Sequence, residues 1–461
     1  MDSFDTLIIG AGQAGKPLAL ELARAGRTVA LVEREHVGGT CINVGCTPTK
    51  TMVASARVAY LARRAADFGV RAGAVEMDMA GVVQRKREIV ERFREYGTQT
   101  VQRTANLELI YGVARFVSAR EVEVALAAGG TRRIGAERIV INTGGRPAVP
   151  PVPGVNDVPF LDSTSIMEVQ EVPRHLVIVG GGYIGLEFAQ MFRRFGAAVT
   201  VLQREDRLIP REDADVSQAV HDLLVEDGVR FEYGIAVERF ATAAEGIEVS
   251  IAKAGVARTL NASHLLLASG RRPNTEALNL AAAAIAVGAT GYIEVDDTLQ
   301  TSAAGVYAVG DVKGGPAFTH ISYDDYRILR DRWLHGLDAR LGQRLVPNTM
   351  FIDPQLGQVG LTETEAKERG LAVRVAKLPM SSVARALEMS EARGFIKVVV
   401  DAQSKQILGA TVLGIEGGEL MSMLQIAMLG KLPYTVLKEA VFAHPTLAEA
   451  LNNVFLALDK G

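Results

Sequence analysis

Cys41 and Cys46 are the only cysteines of the 461-residue chain, and both lie in the segment Gly38-Gly-Thr-Cys-Ile-Asn-Val-Gly-Cys-Thr-Pro-Thr-Lys50. In a reducing compartment such a pair is catalytic or redox-sensing more often than structural. In an unbroken helix rising about 1.5 Å per residue, the two would stand about 7.5 Å apart along the axis, beyond the roughly 4.4–6.8 Å Cα separation of a disulfide. The helix must therefore be distorted between them, and Gly45 supplies the freedom. Pro48 suits the first position of the regular helix with Thr47 as its cap, which leaves Cys46 before an electropositive N-terminus and favours its thiolate. Other readings are a buried thiol pair, a static disulfide or half of a zinc site. The last would have to recruit histidines, and Cys-x4-Cys is poor finger spacing, so no metal ligands are assigned.

These cysteines need a scaffold, and glycine turns describe it. Asp5 to Gly10 reads as a short buried strand, followed by Gly10-Ala-Gly12-Gln-Ala-Gly15 and a segment of helical periodicity from Pro17. The next strand, Thr28 to Glu33, ends in an acid at roughly the 20-residue distance expected of a ribose-binding carboxylate. The unit recurs at His175-Leu-Val-Ile-Val-Gly180-Gly-Gly182-Tyr-Ile-Gly185, followed by Ala198 to Leu202. Each unit aims a helix N-terminus at one pyrophosphate, so two fingerprints imply two dinucleotides.

Arg146-Pro-Ala-Val-Pro-Pro-Val-Pro153 reads as an extended linker, and another break follows Gly270-Arg-Arg-Pro-Asn274. A strand ending in Gly310-Asp311 leads into a helical segment to about Leu341. Beyond Val346, strand runs at Phe395–Val400 and Gln406–Leu413 alternate with helical ones without a third fingerprint. The expected class is α/β, with two Rossmann-like dinucleotide-binding domains and a C-terminal α+β domain. The charged stretch Val82 to Thr104, with both signs at helical spacing, reads as a solvated helix.

Composition narrows the function. Lys and Arg number 50 against 53 Asp and Glu, a net charge of −3, without the basic surface that nucleic acid or anionic membrane would require. Glycine is high at 46 residues, as tight turns and close backbone approaches demand. The start is acidic where a signal peptide would be basic, and the longest apolar stretch, around Ala281 to Val287, is well short of a membrane span. A cytoplasmic protein acting on small molecules is expected.

Gly39-Thr-Cys-Ile-Asn-Val-Gly-Cys-Thr-Pro-Thr-Lys50 resembles the active-site signature of the class I pyridine nucleotide-disulfide oxidoreductases. That family includes glutathione reductase, dihydrolipoamide dehydrogenase, mercuric reductase and the reactive-chlorine-resistance flavoproteins. The resemblance spans the chain through both fingerprints, Thr143-Gly144-Gly145, Gly310-Asp311 and His444-Pro-Thr-Leu-Ala-Glu449. It implies FAD held by residues 1–145 and 275–345, NAD(P)H held by 146–274, and a dimerisation domain over 346–461. Gly10, Gly12, Gly15, Glu33, Thr40, Thr143, Gly144 and Asp311 would serve FAD; Gly180, Gly182, Gly185, Gln203, Arg204, Arg207 and Gly270 would serve the nicotinamide nucleotide. Cys46 would face the flavin, and Cys41 would meet substrate. Lys50 and Glu187 resemble the ion pair beside the flavin, and Tyr183 the lid that moves when nicotinamide enters. His444, oriented by Glu449, would be the acid–base partner of Cys41 in the other subunit of a homodimer.

Gln203 stands where NADH enzymes place an acid, with Arg204 and Arg207 nearby, which suits the 2′-phosphate of NADPH; NADH is the alternative. The chain ends Phe455 to Gly461 without the cysteine pair that mercuric reductases use to relay their metal, so efficient mercury relay is not expected. The best resemblance is to mercuric-reductase-like and reactive-chlorine-resistance flavoproteins, whose substrates are small oxidants or metal ions. Glutathione reductase, dihydrolipoamide dehydrogenase and a redox-sensing flavoprotein are the alternatives.

Overall fold

The computed structural model describes residues 2–460. The chain folds into two compact units. One takes the N-terminal part to Thr51, Gly81–Ala148 and Gly270–Arg344, and the other takes Met52–Ala80, Val149–Ser269 and the part from Leu345 on.

In the first unit, strand Asp2–Ile9 pairs in parallel with Val29–Glu33 on one side and Thr131–Ile141 on the other. Leu107–Ser118 extends the sheet beyond Val29–Glu33, and Val306–Ala308 extends it beyond Thr131–Ile141. Alternation along the first strand sends Ile8 into one core, with Leu18, Leu22 and Leu31, and Leu7 and Ile9 into another, with Ile139 and Ile141. Glu121–Leu126 pairs antiparallel with Leu107–Ser118 and Thr131–Ile141, so the sheet is mixed, and the parallel part around the first strand has apolar cores on both faces, as a parallel sheet usually does. The charged stretch is a helix, Met79–Gln102, with its charged side chains largely outward.

The second unit holds three sheets. A parallel one runs in the order Arg230–Tyr233, Ala198–Gln203, His175–Val179, His264–Leu267, Phe160–Leu161. A three-stranded antiparallel sheet spans Ile235–Ala243, Gly246–Lys253 and Val256–Ala262. The third is antiparallel and mixes near and distant strands, with Gln355–Gly360 against Ile407–Gly414 and Phe395–Asp401 between Ile407–Gly414 and Val373–Pro379. Buried Lys397 gathers the carboxylates of Asp213, Asp215 and Glu363 at 2.8–3.0 Å. A cation buried this deeply persists only when paired.

Three boundaries differ from the sequence reading. The first strand begins at Asp2, because Asp2 to Phe4 continue the ladder with Ile134 to Ala136. The stretch read as helix to Leu341 forms a short turn at Gly310–Lys313, a helix at Thr319–Leu334 and then mostly irregular chain. The helix after the second cysteine begins at Cys46 itself, with Pro48 in its first turn and Thr47 no longer the cap. Thr49 N–H reaches back to Gly45 O at 3.1 Å, and Pro48 is tolerated because an N–H there would have no intrahelical acceptor.

Candidate active site

The first glycine turn is closed by backbone. Gly10 has φ +105°, and its N–H donates to Val32 O at 2.7 Å while Asn142 Nδ2 donates to its carbonyl at 3.0 Å. A Cβ on Gly15 would stand 2.1 Å from Gly10 O, so the helix Gly15–Arg24 can approach the strand this closely only without a side chain there. Glu33 ends the second strand, where Oε2 accepts Ala11 N–H at 2.8 Å and Oε1 accepts Glu35 N–H at 2.9 Å. A carboxylate has about four lone-pair directions, so Glu33 keeps capacity for hydroxyl donors and fits a ribose. Thr143 Oγ1 donates to Asn274 O at 2.8 Å, and Asn274 N–H donates to Gly144 O at 3.0 Å. Gly270 O receives Ala148 N–H at 3.0 Å. Burial pushes the Asp311 carboxyl up, against the pull of Arg271 and Lys313.

The cysteines come together across a break in the helix. Cys41 and Thr40 lie in the short helix Gly39–Asn43, Val44 leaves helical geometry at φ −144°, and Cys46 opens the helix Cys46–Arg63. A Cβ on Gly45 would meet Thr40 O at 2.8 Å, so the tight return between the thiols requires glycine. Neither cysteine is in a disulfide. The Cys41 thiol is pushed far up, first by its hydrogen bond to Cys46, then by burial and the negative charge of Cys46; Thr319 and Lys50 pull the other way. Cys46 Sγ also lies 3.2 Å from Thr319 Oγ1. Lys50 stands one turn further along the same helix. Burial lowers the Lys16 ammonium, which the nearby Cys41 partly offsets.

The second turn repeats the first. Gly180 has φ +114°, and a Cβ on Gly185 would stand 2.1 Å from Gly180 O, whereas one on Gly182 would meet nothing within 4 Å. That opening before the helix Tyr183–Phe195 is the space a pyrophosphate requires. Gln203 takes the place of Glu33, with Oε1 accepting Gly181 N–H at 2.8 Å. Its Nε2 donates to Glu205 Oε2 at 2.9 Å and Arg207 O at 3.1 Å. Arg204, with a side chain 86% exposed, pairs with Glu205 at 2.8 Å, and Arg207 donates to Pro210 O at 2.7 Å. Both arginines therefore flank the turn but are engaged within their own loop.

On the helix after this turn, Tyr183 Oη lies 2.7 Å from Glu212 Oε1 and 2.9 Å from Asn348 Oδ1. Glu187, one turn later and buried, accepts Phe351 N–H at 2.8 Å. Near the C-terminus, His444 Nδ1 lies 2.9 Å from Glu449 Oε2, and the imidazole is 69% exposed. No cluster of three or more metal-ligating side chains occurs among the described residues.

Residues 4–325 match the family model described as pyridine nucleotide-disulphide oxidoreductase, and residues 346–455 match the dimerisation domain of the same family. The chain belongs to the pyridine nucleotide-disulfide oxidoreductases. It is 39% identical over 459 residues to RclA of Escherichia coli strain K12, described as a probable member of this family, with 99% of each chain covered. Mercuric reductase of Lysinibacillus sphaericus is 34% identical over 459 residues, covering all of this chain and 83% of that protein. Among solved structures, the Cu(II) complex of the HOCl-induced flavoprotein disulfide reductase RclA from Escherichia coli superposes with a TM-score of 0.91 at 37% identity, covering 99% of both chains. The oxidoreductase is accordingly an FAD- and NAD(P)H-dependent flavoprotein enzyme.

Several groups at this oxidoreductase's candidate site carry no motif of their own. Thr319 reaches Cys46 from a remote segment, and Asn142 holds Gly10 from the end of a strand. Lys16 directly follows the glycine fingerprint, but only burial beside Cys41 makes it notable. Glu212 and Asn348 meet Tyr183 from two different segments. Pairing across long stretches of chain leaves no periodic trace in sequence.

Proposed function

We propose that this oxidoreductase passes electron pairs from NAD(P)H through FAD to the Cys41–Cys46 pair, and from there to a small oxidant or a metal ion. The contact between the two thiols at the helix break carries this reading. In the reading, residues 1–145 and 275–345 hold FAD, residues 146–274 hold NAD(P)H and residues 346–461 form the dimer. Bound FAD supplies hydride acceptance from the nicotinamide and delivery of two electrons to a disulfide.

The remaining roles fall to the chain. Glu33 binds the FAD ribose and Asp311 the ribityl region, while Gly10, Gly12, Gly15, Thr40, Thr143 and Gly144 line the flavin nucleotide. Gly180, Gly182, Gly185, Gln203, Arg204, Arg207 and Gly270 line NAD(P)H. Cys46 holds the thiolate next to the flavin, and Lys50, one turn along the same helix, fixes charge there. Cys41 is the thiol that attacks substrate, and His444, held by Glu449, carries its proton. Tyr183 covers the nicotinamide position until the nucleotide enters.

RclA is named as HOCl-induced and as a Cu(II) complex, and other relatives as mercuric reductases, which supports a metal ion or chlorine-derived oxidant as acceptor. One dithiol, on closing to a disulfide, releases two electrons and two protons, enough for one Hg(II) or two Cu(II). No helix among the described residues is long and apolar enough to cross a membrane, and a cytoplasmic setting suits a dithiol that must be regenerated. A homodimer is supported by the exposed Met423, Ile426 and Leu429 on one stripe of the helix Gly417–Leu429 and by the exposed His444.

Subunit exchange tests the reading. Inactive Cys41→Ser and His444→Ala chains, mixed in equal amounts, should recover about a quarter of wild-type turnover of NAD(P)H with Cu(II) or Hg(II), because half the dimers carry one intact site. Heterodimers that form without recovering activity would remove His444 from the partner's site. A wild type that stops after stoichiometric reduction would make the pair a sensor.

A further inference from the structure

Tyr183 has one phenolic hydrogen and two oxygen neighbours that both ordinarily accept. The orientation of Asn348 can be traced from a backbone carbonyl. Gln358 Nε2 donates to Gly360 O at 2.8 Å, which turns Gln358 Oε1 towards Asn348, and Asn348 Nδ2 donates to it at 2.8 Å. Asn348 Oδ1 is thereby left facing Tyr183 at 2.9 Å. Turning either amide over sets one acceptor against another, so the arrangement has a single satisfactory assignment. The Tyr183 hydrogen is committed to Asn348, yet Glu212 Oε1 lies only 2.7 Å from the phenol oxygen.

We propose that Glu212 is a neutral carboxylic acid that donates its proton to Tyr183 Oη, latching the phenol with one bond accepted and one donated. The surroundings agree. Glu212 is 7% exposed, and its Oε2 is buried without a hydrogen-bond partner among the described residues, a costly position for a carboxylate. Charged groups facing it are Asp213 beside it and Glu365 on the helix Glu363–Glu368, both negative; Arg211 acts on Tyr183. Lys397 does not neutralise the carboxyl, because its three contacts go to Asp213, Asp215 and Glu363. Burial, Asp213 and Glu365 raise the Glu212 carboxyl, against the Tyr183 hydrogen bond, and burial also raises the Tyr183 phenol, which keeps its hydrogen.

The inference rests on the reading of Tyr183 as the nicotinamide lid and adds its latch. Glu212 is a positioning residue that acts through Tyr183. Because its carboxyl is raised, the latch is complete at low pH and is lost as pH rises through the titration of Glu212. Ionisation would leave one hydrogen for two acceptors, and the ring would then be released for nicotinamide entry.

The test uses the FAD-loaded enzyme. Infrared difference spectra should show a carboxylic-acid C=O band at neutral pH that is lost in Glu212→Gln and shifted in Tyr183→Phe. Stopped-flow reduction by NADPH should rise with pH in wild type. In Glu212→Gln it should stay flat at the low-pH level, because the amide donates to Tyr183 at every pH. In Tyr183→Phe it should be flat. A neutral-pH spectrum with no acid band lost in Glu212→Gln, or a pH step that persists in Glu212→Gln while Tyr183→Phe is flat, overturns the latch. An acid band lost in Glu212→Gln, with reduction in both variants following wild type at every pH, keeps the protonation and overturns the lid reading of Tyr183.

Discussion

Glu205→Gln should improve the use of NADPH while leaving NADH nearly unchanged. In the structure Glu205 holds Arg204 at 2.8 Å and receives Gln203 Nε2 at 2.9 Å, and Arg204 pulls its carboxyl below the usual range. Any 2′-phosphate at this loop must compete with that carboxylate for Arg204 and also bear its repulsion. The ion pair is exposed, 86% on the arginine and 38% on the glutamate, so releasing it recovers at most about 1 kcal/mol. Removing one negative charge at about 4 Å in near-bulk solvent adds about 1 kcal/mol. Together these give about 1–2 kcal/mol, or roughly 5- to 30-fold in kcat/KM for NADPH. Glutamine still accepts from Gln203, so the turn should keep its shape. The assay is kcat/KM for both nucleotides at low and high salt, since the gain should shrink under screening. Adding Arg204→Ala should abolish the gain. Equal changes for NADPH and NADH, or a gain that survives Arg204→Ala, would refute the role given to this loop.

The two glycine turns make opposite predictions. Gly15→Ala places a Cβ 2.1 Å from Gly10 O and should yield enzyme with little bound flavin and a lowered Tm, read from the flavin-to-protein absorbance ratio and a melt. Gly182→Ala meets no protein atom within 4 Å and should fold with full flavin content but a raised KM for NADPH. Lys397→Met leaves buried Asp213 without its cation and should cost about 3–5 kcal/mol at neutral pH. The Asp213, Asp215 and Glu363 carboxyls are held below their usual values, so the network's stabilisation is present at neutral pH and lost as pH falls through them. The Tm gap between wild type and variant should therefore close below about pH 4.

What the sequence determined by itself was local. Each glycine fingerprint joins a strand, a turn and a helix within a few residues, and only glycine tolerates the φ of Gly10 and Gly180, so both turns and the class of fold could be read directly. The same holds for the cysteine pair, where Gly45 sits at the one place that lets two thiols five positions apart meet. Helix starts were less legible: Pro48 signals a first turn but not which residue opens it, because a carbonyl upstream can take the first bond. Tertiary structure decided the partners. Thr319 against Cys46, Asn142 against Gly10, and Asn348 and Glu212 around Tyr183 join segments far apart in the chain. It also decided that Arg204 is engaged by Glu205, which no motif shows. Such contacts depend on burial and on which lone pairs and hydrogens remain after folding, and that hydrogen-bond accounting exists only once the chain has closed on itself.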